Sequence, residues 1–218
     1  MTDALCLSLL VGLFAAALAM PFAVGFGYLF ARKRFPMRTV LETLLMLPLV
    51  VPPVVTGYGL LLLFGKRGFL GPILRVGGLE IAFTGLAAVL AAAVMGFPLA
   101  FRACRLAFEG VDPRLEQAAR TLGARPWIAF RTVSLPLARG GIIAAAVLAF
   151  ARSLGEFGAT MVFAGNIEGE TRTLPLLVYS RMQGLGGMED AVAPALASVG
   201  LALVLLLVGD RLLGRKPE

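Results

Sequence analysis

The chain contains several long stretches without a charged residue, and these stretches constrain its fold more than any other feature. The first, from Ala4 to Ala31, has 28 residues, whereas about 20 are enough for a helix to cross the hydrocarbon core of a bilayer. The composition agrees, since 59% of the 218 residues are apolar, 15% are charged and the mean hydropathy is +0.89. Soluble domains contain a larger fraction of charged residues and a smaller fraction of apolar residues. The chain is therefore predicted to be a helical membrane protein.

Five segments are long enough to cross the bilayer, and four of them are almost free of charge. They cover residues 4–31, 43–65, 81–101, 137–165 and 191–210. The second segment contains Pro48, Pro52 and Pro53, and a break is predicted near Pro52 because proline removes a helical hydrogen bond. The fourth carries Arg152 and Glu156 near its middle. The prediction is an all-α integral membrane protein with five transmembrane helices, forming one domain over residues 1–218.

The distribution of Lys and Arg between the spans predicts the orientation of the chain, because cytoplasmic connections carry an excess of these residues. Fourteen of them lie in three connections that are predicted to be cytoplasmic: Arg32, Lys33, Arg34, Arg38, Arg102, Arg105, Arg114, Arg120, Arg125, Arg131, Arg139, Arg211, Arg215 and Lys216. The other two connections hold only five: Lys66, Arg67, Arg75, Arg172 and Arg181. With an odd number of spans, the N-terminus is predicted outside and the C-terminus in the cytoplasm, across a cell inner membrane.

Composition and motifs argue against several other functions. The chain has no histidine, and Cys6 and Cys104 are nearly a hundred residues apart, so no zinc site, redox pair or disulfide framework is expected. The net charge of +7 is spread between apolar spans rather than along one polar face, which argues against nucleic-acid binding. The sequence has no Gly-x-x-x-x-Gly-Lys-Ser/Thr loop for phosphates. Any energy from ATP must therefore come through another polypeptide.

The connection between the third and fourth spans is too long for a simple turn and contains helix signals of its own. Asp112 is a suitable N-cap, and Pro113 suits the first helical position. Glu116 falls in the first turn, where the helix dipole favours an anion. Gly123 suits the end of the helix, where a positive φ is expected. A short helix is therefore predicted over residues 113–122.

A second short helix is predicted from Pro126 toward Val133, before Pro136 opens the next span. Two interpretations of this helix pair, within a loop at about residues 110–136, follow from the amphipathic pattern. The helices could lie on anionic lipid headgroups at the membrane surface. Alternatively, they could form a docking element that inserts into a groove on a cytoplasmic partner.

The loop resembles the EAA loop of importer-type ABC transporter permeases. That pattern is Glu-Ala-Ala, three residues, Gly, nine residues and Ile-x-Leu-Pro, and it is matched here by Gln117, Ala118, Ala119, Gly123, Val133, Leu135 and Pro136. The chain departs from it with Gln117 in place of the usual Glu, Glu116 one position earlier, and Val133 in place of Ile. The resemblance implies a pair of coupling helices that sit in a cleft of an ATPase subunit. It also implies that ATP and Mg²⁺ are bound by that subunit, with no cofactor on this chain.

Arg152 and Glu156 are ionisable residues within a predicted span, where each costs roughly 2.5 to 3.5 kcal/mol. Their i, i+4 spacing predicts that they lie on one helix face and neutralise one another. Such a pair could be purely structural and face other helices. It could also line a water-filled path for a substrate, and the sequence leaves both interpretations open.

The segment from Arg152 to Thr160 resembles the RSLGEFGA segment of oxyanion permeases, in particular those for molybdate and sulfate. Residues 47–58, 68–71 and 169–175 point toward the molybdate group, so that the resemblance spans nearly the whole chain. If the charged pair lines a path or gate, then Arg152, Ser153 and Thr160 would offer donors to the oxyanion, with Glu156 beside them.

The resemblance implies a permease of an ATP-driven importer for a tetrahedral oxyanion, most like molybdate. It also implies pairing of two copies, two cytoplasmic ATPases, a soluble oxyanion-binding protein outside and contact with membrane lipid, but no nucleic acid. A two-fold axis would create a path that five helices do not easily enclose. The nearest alternative is a sulfate or tungstate permease of the same build. A channel or secondary transporter working without ATP is the alternative from another class, and an intramembrane enzyme is least supported because Glu156 has no catalytic neighbours in sequence.

Overall fold

The computed structural model describes residues 1–212, and every regular element within them is helical. The helices of this part of the chain are α1 (Thr2–Arg32), α2 (Arg38–Val50), α3 (Pro53–Phe64), α4 (Gly71–Val76), α5 (Gly85–Glu109), α6 (Pro113–Thr121), α7 (Pro126–Ala129), α8 (Leu135–Leu137), α9 (Arg139–Leu154), α10 (Gly158–Phe163), α11 (Leu174–Met182) and α12 (Gly187–Leu212). A π-helical turn, Phe130–Ser134, joins α7 to α8. The all-α prediction is confirmed, whereas Arg215 and Lys216 lie outside the described residues.

Three of these helices are long and apolar enough to cross a membrane unbroken, namely α1, α5 and α12 up to Gly209. Two further helix pairs pass the same test but are bent. The axes of α2 and α3 differ by 112°, and those of the helical segment 126–137 and α9 differ by 73°. The described residues therefore hold three unbroken spans, and five if each bent pair is counted as one span. The predicted membrane fold is confirmed by the length and the apolar composition of these helices.

The core of the molecule is formed by α1, α5 and α9, which pack against one another. Their shared interface is rich in alanine, and Ala15, Ala91 and Ala149 are fully buried. Small side chains allow helix backbones to approach closely where lipid supplies no hydrophobic driving force. Gly27 illustrates this, because a Cβ atom added to it would lie 2.9 Å from Cβ of Cys104 on α5. The three helices therefore form a tightly fitted unit.

The remaining spans lie around this unit. The break predicted near Pro52 is confirmed, since α2 ends at Val50 and α3 begins at Pro53, with proline at the first helical position. Helix α2 packs on α5, and α3 packs mainly on α10. Helix α12 lies along α11 and contacts α9, and most of its side chains are exposed.

The fourth span, predicted over residues 137–165, is not one continuous helix. Helix α9 ends at Leu154, three residues follow, and α10 begins at Gly158. The carboxylate of Glu156 accepts the N–H of Ala159 at 2.9 Å, and so satisfies a donor in the first turn of α10 that a helix start leaves unpaired. Pro136 does not open this span, because it lies within α8 and α9 begins at Arg139.

Candidate functional site

The connection between α5 and α9, called the coupling loop below, covers residues 110–138 and folds as two short helical segments. Its first helix, α6, begins as predicted. The side chain of Asp112 accepts a hydrogen bond from the backbone N–H of Arg114 at 2.9 Å, with Pro113 at the first helical position. This N-cap fixes where the chain turns out of α5 into the loop.

Helix α6 ends in a Schellman motif centred on Gly123, whose φ is +92°. The N–H of Gly123 donates to the carbonyl of Arg120 at 3.0 Å, and the N–H of Ala124 donates to the carbonyl of Ala119 at 3.1 Å. A residue with a Cβ rarely adopts this φ. The predicted helix end and its positive φ are therefore confirmed.

The second helical segment begins at Pro126 and continues past the predicted end near Val133, because the π turn connects it to α8. The N–H of Leu135 donates to the carbonyl of Phe130, five residues earlier. Such turns insert one extra residue into a helix and rotate the side chains that follow. Ser134 lies in this turn and is fully buried.

The side chain of Glu116 joins the coupling loop to α1 (Thr2–Arg32). Its carboxylate accepts three hydrogen bonds, from Tyr28 Oη at 2.5 Å, Ser134 Oγ at 2.8 Å and Arg32 Nε at 3.3 Å. The guanidinium of Arg32 also donates to the carbonyl of Val111 at 2.9 Å. We call these four side chains, Tyr28, Arg32, Glu116 and Ser134, the Glu116 cluster.

The environment of Glu116 keeps its carboxylate ionised. Burial alone raises the pKa of this group, but the hydrogen bonds from Tyr28 and Ser134 and the charge of Arg32 outweigh it. The pKa of Glu116 is therefore lowered from its ordinary value of 4.5. At neutral pH the cluster holds a carboxylate that is paired with one cation.

Aromatic side chains form an apolar base beneath the cluster. The ring of Tyr28 lies 5.4 Å from that of Phe108 and 4.6 Å from that of Phe130, measured between centroids, in edge-to-face arrangements. Such pairs contribute about 1 kcal/mol each beyond the area that they bury. The apolar base holds the coupling loop against the C-terminal ends of α1 and α5.

Part of the surface of the coupling loop is not covered by the rest of the protomer. Leu122 is 89% exposed and Trp127 is 66% exposed, and Gln117 and Ala118 are also exposed. Ala119, Val133 and Leu135 are half-buried, while Pro136 is exposed. A groove of about 500 Å³ lies between the loop and α1, and its lining includes Tyr28, Glu116 and Trp127. Exposed apolar residues with a polar rim are typical of a protein-binding surface.

The charged pair of the fourth span is formed, but not in the predicted way. Arg152 Nη1 donates to Glu156 Oε2 at 2.8 Å. Glu156 does not share a helix face with Arg152, because α9 has already ended at Leu154 and Glu156 lies in the break before α10. The side chain of Glu156 is 2% exposed and that of Arg152 is 26% exposed. The cation is therefore the more accessible member of the pair.

The two hydroxyl residues predicted beside this pair are buried within the protomer. Ser153 Oγ donates to the carbonyl of Ala149 at 2.8 Å, inside α9. Thr160 is 1% exposed. Among the described residues, no side-chain hydrogen bond links either hydroxyl to Arg152 or Glu156. The structure thus brings the two charges together and leaves Ser153 and Thr160 outside their hydrogen bonds.

Sequence reasoning missed Tyr28, Arg32 and Ser134. Tyr28 and Arg32 are four residues apart at the predicted cytoplasmic end of the first span, which places a polar pair on one helix face. That spacing was a usable signal for a contact at the membrane surface. Their partner could not be identified, because Glu116 is more than 80 residues away and was expected to act in the helix dipole and in coupling to an ATPase, not in a contact with the first span.

Residues 23–215 match the family model described as the binding-protein-dependent transport system inner membrane component. The chain is 52% identical over 209 residues to the molybdenum transport system permease protein ModB of Escherichia coli (strain K12), covering 95% of this chain and 91% of that protein. The ModB protein of Haemophilus influenzae is 46% identical over 209 residues, with the same coverage of both chains. The sulfate transport system permease protein CysT of Salmonella typhimurium is 40% identical over 202 residues, covering 91% of this chain and 72% of the relative.

Among solved structures, the chain is similar to an inward-facing conformation of the MetNI methionine ABC transporter. The TM-score is 0.69 at 20% identity, and the match covers 97% of this chain and 91% of that chain. This likeness shows a shared fold.

Proposed function

The chain belongs to the family of binding-protein-dependent transport system inner membrane components, and we propose that it is the membrane-spanning subunit of an ATP-driven importer of molybdate. The observation that carries this proposal is the 52% identity to a molybdenum permease over 95% of the chain. Sulfate permeases are more distant, at 40% identity for the CysT protein. Sulfate and tungstate, which are also tetrahedral dianions, remain the alternative substrates.

Two cytoplasmic ATPase subunits are proposed to dock on the coupling loops of a permease pair. Their ATP and Mg²⁺ would be bound outside this chain. The exposed surface with Gln117, Leu122 and Trp127 supports this role, because a docking surface needs apolar area that the protomer itself leaves uncovered. Gly123 supports it by fixing the angle between the two helical segments. The motif residues proposed to form the docking element are Glu116, Gln117, Ala118, Ala119, Gly123, Val133, Leu135 and Pro136.

The permease is proposed to act as a pair of identical subunits, to which a soluble oxyanion-binding protein delivers its cargo from outside. Arg152 supports this arrangement, because a partly exposed cation at membrane depth needs a partner surface or a water-filled path. The exposed sides of α12 supply further apolar surface that lipid or a second copy can cover. A two-fold axis would then place the path between the protomers.

The N-terminus is proposed to lie outside and the C-terminus in the cytoplasm of the inner membrane. Support comes from the Lys/Arg bias and from the position of Arg32 and Lys33 at the same end of the fold as the coupling loop. A topology reporter fused after Arg38 or near Gly123 should be cytoplasmic, and one at Gly71 should be external. A cytoplasmic reporter at Gly71 would refute this orientation.

The substrate is proposed to pass the charged break between α9 and α10. Arg152 is the residue most suited to meet an oxyanion there, since its guanidinium is paired with Glu156 yet still partly exposed. Ser153 and Thr160 would assist only if a transport conformation uncovers them.

The function is tested by reconstituting the permease into vesicles with its ATPase and a molybdate-binding protein. Uptake of labelled molybdate should require ATP and should be reduced by excess tungstate more than by excess sulfate. Uptake that continues without ATP would identify a channel or secondary transporter. ATP-dependent uptake of sulfate in preference to molybdate, with a sulfate-binding protein present, would reassign the substrate.

A further inference from the structure

We infer that the Glu116 cluster is the tether through which motion of the coupling loop reaches α1, with Tyr28, Arg32 and Ser134 as positioning residues for coupling. This inference rests on the proposed function, because it assumes that an ATPase moves the loop. It goes beyond that function by naming the side chains that carry the motion into one particular helix.

The connectivity of the core explains why such a tether is needed. Of the three helices that pack together in the core, α5 leads directly into the coupling loop and α9 follows directly from it. A displacement of the loop therefore reaches both through the backbone. Helix α1 has no such connection, because α2 to α5 separate it from the loop in the chain. Non-covalent contacts must therefore carry the displacement to α1, either through its packing on α5 and α9 or through its contacts with the loop itself.

The contacts of Glu116 have the geometry that this task requires. The carboxylate lies on α6, and its three donors come from α1 and from the π turn of the second helical segment. Arg32 also reaches the carbonyl of Val111, at the entrance to the loop. Both halves of the loop are thus fastened to α1 at one point.

Apolar packing at the same place does not replace the tether. The rings of Tyr28, Phe108 and Phe130 attract one another in edge-to-face pairs, but such contacts fix relative position less tightly than hydrogen bonds to a charged group do. Hydrogen bonds to an ionised group are shorter, stronger and directional. The carboxylate of Glu116 therefore fixes the position of the coupling loop along α1, while the aromatic rings contribute apolar packing.

The position of the negative charge supports this division of roles. The side chain of Glu116 is only 13% exposed because it contacts α1 and the π turn, whereas its neighbour Gln117 is exposed. The carboxylate of Glu116 is thus used for attachment within the permease, and the neutral side chain of Gln117 stays exposed.

The test measures molybdate transported per ATP hydrolysed in the reconstituted complex. In Glu116→Gln and Tyr28→Phe, this ratio should fall about fivefold, the effect expected from the loss of one hydrogen bond. In Tyr28→Phe, whose side chain lies on α1 outside the docking element, ATPase association should stay near wild type. Because both side chains act in one contact, the double variant should be no worse than Glu116→Gln alone. Glu109→Gln, at an exposed ion pair on α5, and Tyr58→Phe, at an exposed tyrosine, are matched controls that should keep the wild-type ratio.

A distance measurement tests the tether independently of which anion the permease transports. Spin labels are placed by Lys33→Cys on the chain after α1 and Arg114→Cys on α6, in a Cys6→Ser background that leaves only the buried Cys104. With the wild-type cluster, the distance between the two labels should be the same with and without trapped ATP. In Glu116→Gln, the distribution of this distance should become broader. A distance that changes with ATP in the intact cluster, or full coupling in Glu116→Gln, would overturn the tether. Failure of the wild-type complex to import molybdate would instead refute the proposed function and leave the distance result valid.

Discussion

Gly57 of α3 lies directly against Ala159 of α10. A Cβ atom added to Gly57 would come within 2.6 Å of the carbonyl oxygen of Ala159 and 2.7 Å of its Cα. The approach is reciprocal, since a Cβ atom added to Gly158 would lie 2.9 Å from Cβ of Pro53. Helix α3 follows the break of the second span and α10 follows the break of the fourth. The two breaks therefore meet, with glycine on each side of the contact.

Replacing Gly57 by alanine should destabilise the permease. The added methyl group would meet backbone atoms, which cannot rotate away, so that α3 and α10 must separate at a cost of about 1 to 3 kcal/mol. Thermal unfolding in detergent measures this effect. Gly59→Ala on the same helix is the matched control, because nothing lies within 4 Å of its added Cβ and alanine is the better helix former. Equal unfolding temperatures for the two variants would contradict the close contact.

Replacing Gly123 by valine should uncouple the ATPase from transport. Nothing lies within 4 Å of an added Cβ, so the cost arises from the φ of +92°, which a β-branched residue rarely adopts. The Schellman motif should then open and change the angle between the two segments of the coupling loop. ATP hydrolysis and uptake are measured together in reconstituted vesicles, with membrane insertion as a control. Gly123→Asn should retain more coupling than valine, since asparagine tolerates a positive φ; equal losses would refute the conformational explanation.

The contribution of Glu116 to stability should depend on pH in the acid range alone. Its folded pKa is lowered below 4.5, so the stabilisation is fully present above the unfolded pKa and is lost as the pH falls through the folded pKa. The difference in unfolding temperature between the wild type and Glu116→Gln should be constant from about pH 6 to 8 and should shrink in acid. A difference that shrinks between pH 6 and 8 would show that another group is titrating.

Local sequence signals predicted the coupling loop well. Asp112 and Gly123 mark a helix start and end through their own backbone preferences, and the structure contains both features where they were expected. Pro52 likewise marks the break in the second span. In each case the residue that carries the signal is also the residue that forms the feature, so no knowledge of distant partners was required.

Contacts between distant segments account for what was missed. The break after Leu154 lies where α10 packs on α3, and glycines from both helices, Gly57 and Gly158, lie in that contact. The partners of Glu116 on α1 depend on how helices separated by more than 80 residues pack. Periodicity and charge counting describe one helix at a time and contain no information on such pairings.

The charged break provides the sharpest test of the substrate path. Glu156 is almost fully buried and has two partners, Arg152 and the N–H of Ala159. Replacing it by leucine would leave both unsatisfied, whereas Glu156→Gln retains an acceptor for the N–H and removes only the charge. The single variant Glu156→Gln should still lose about 3 kcal/mol of stability, because the Arg152 cation then lacks its counter-ion.

The double variant Arg152→Met, Glu156→Gln separates a structural pair from a path residue. It removes both charges and keeps the acceptor for Ala159, so folding and ATPase association should recover whether or not the pair touches the substrate. Uptake should not recover if Arg152 donates to the passing oxyanion, since methionine offers no donor at the exposed position. Arg152→Lys, with Glu156 intact, should retain partial uptake because it keeps the cation but loses the planar guanidinium. Unfolding temperature, ATPase binding and molybdate uptake are measured on all three variants, and near-normal uptake by the double variant would reduce the pair to a helix-packing contact.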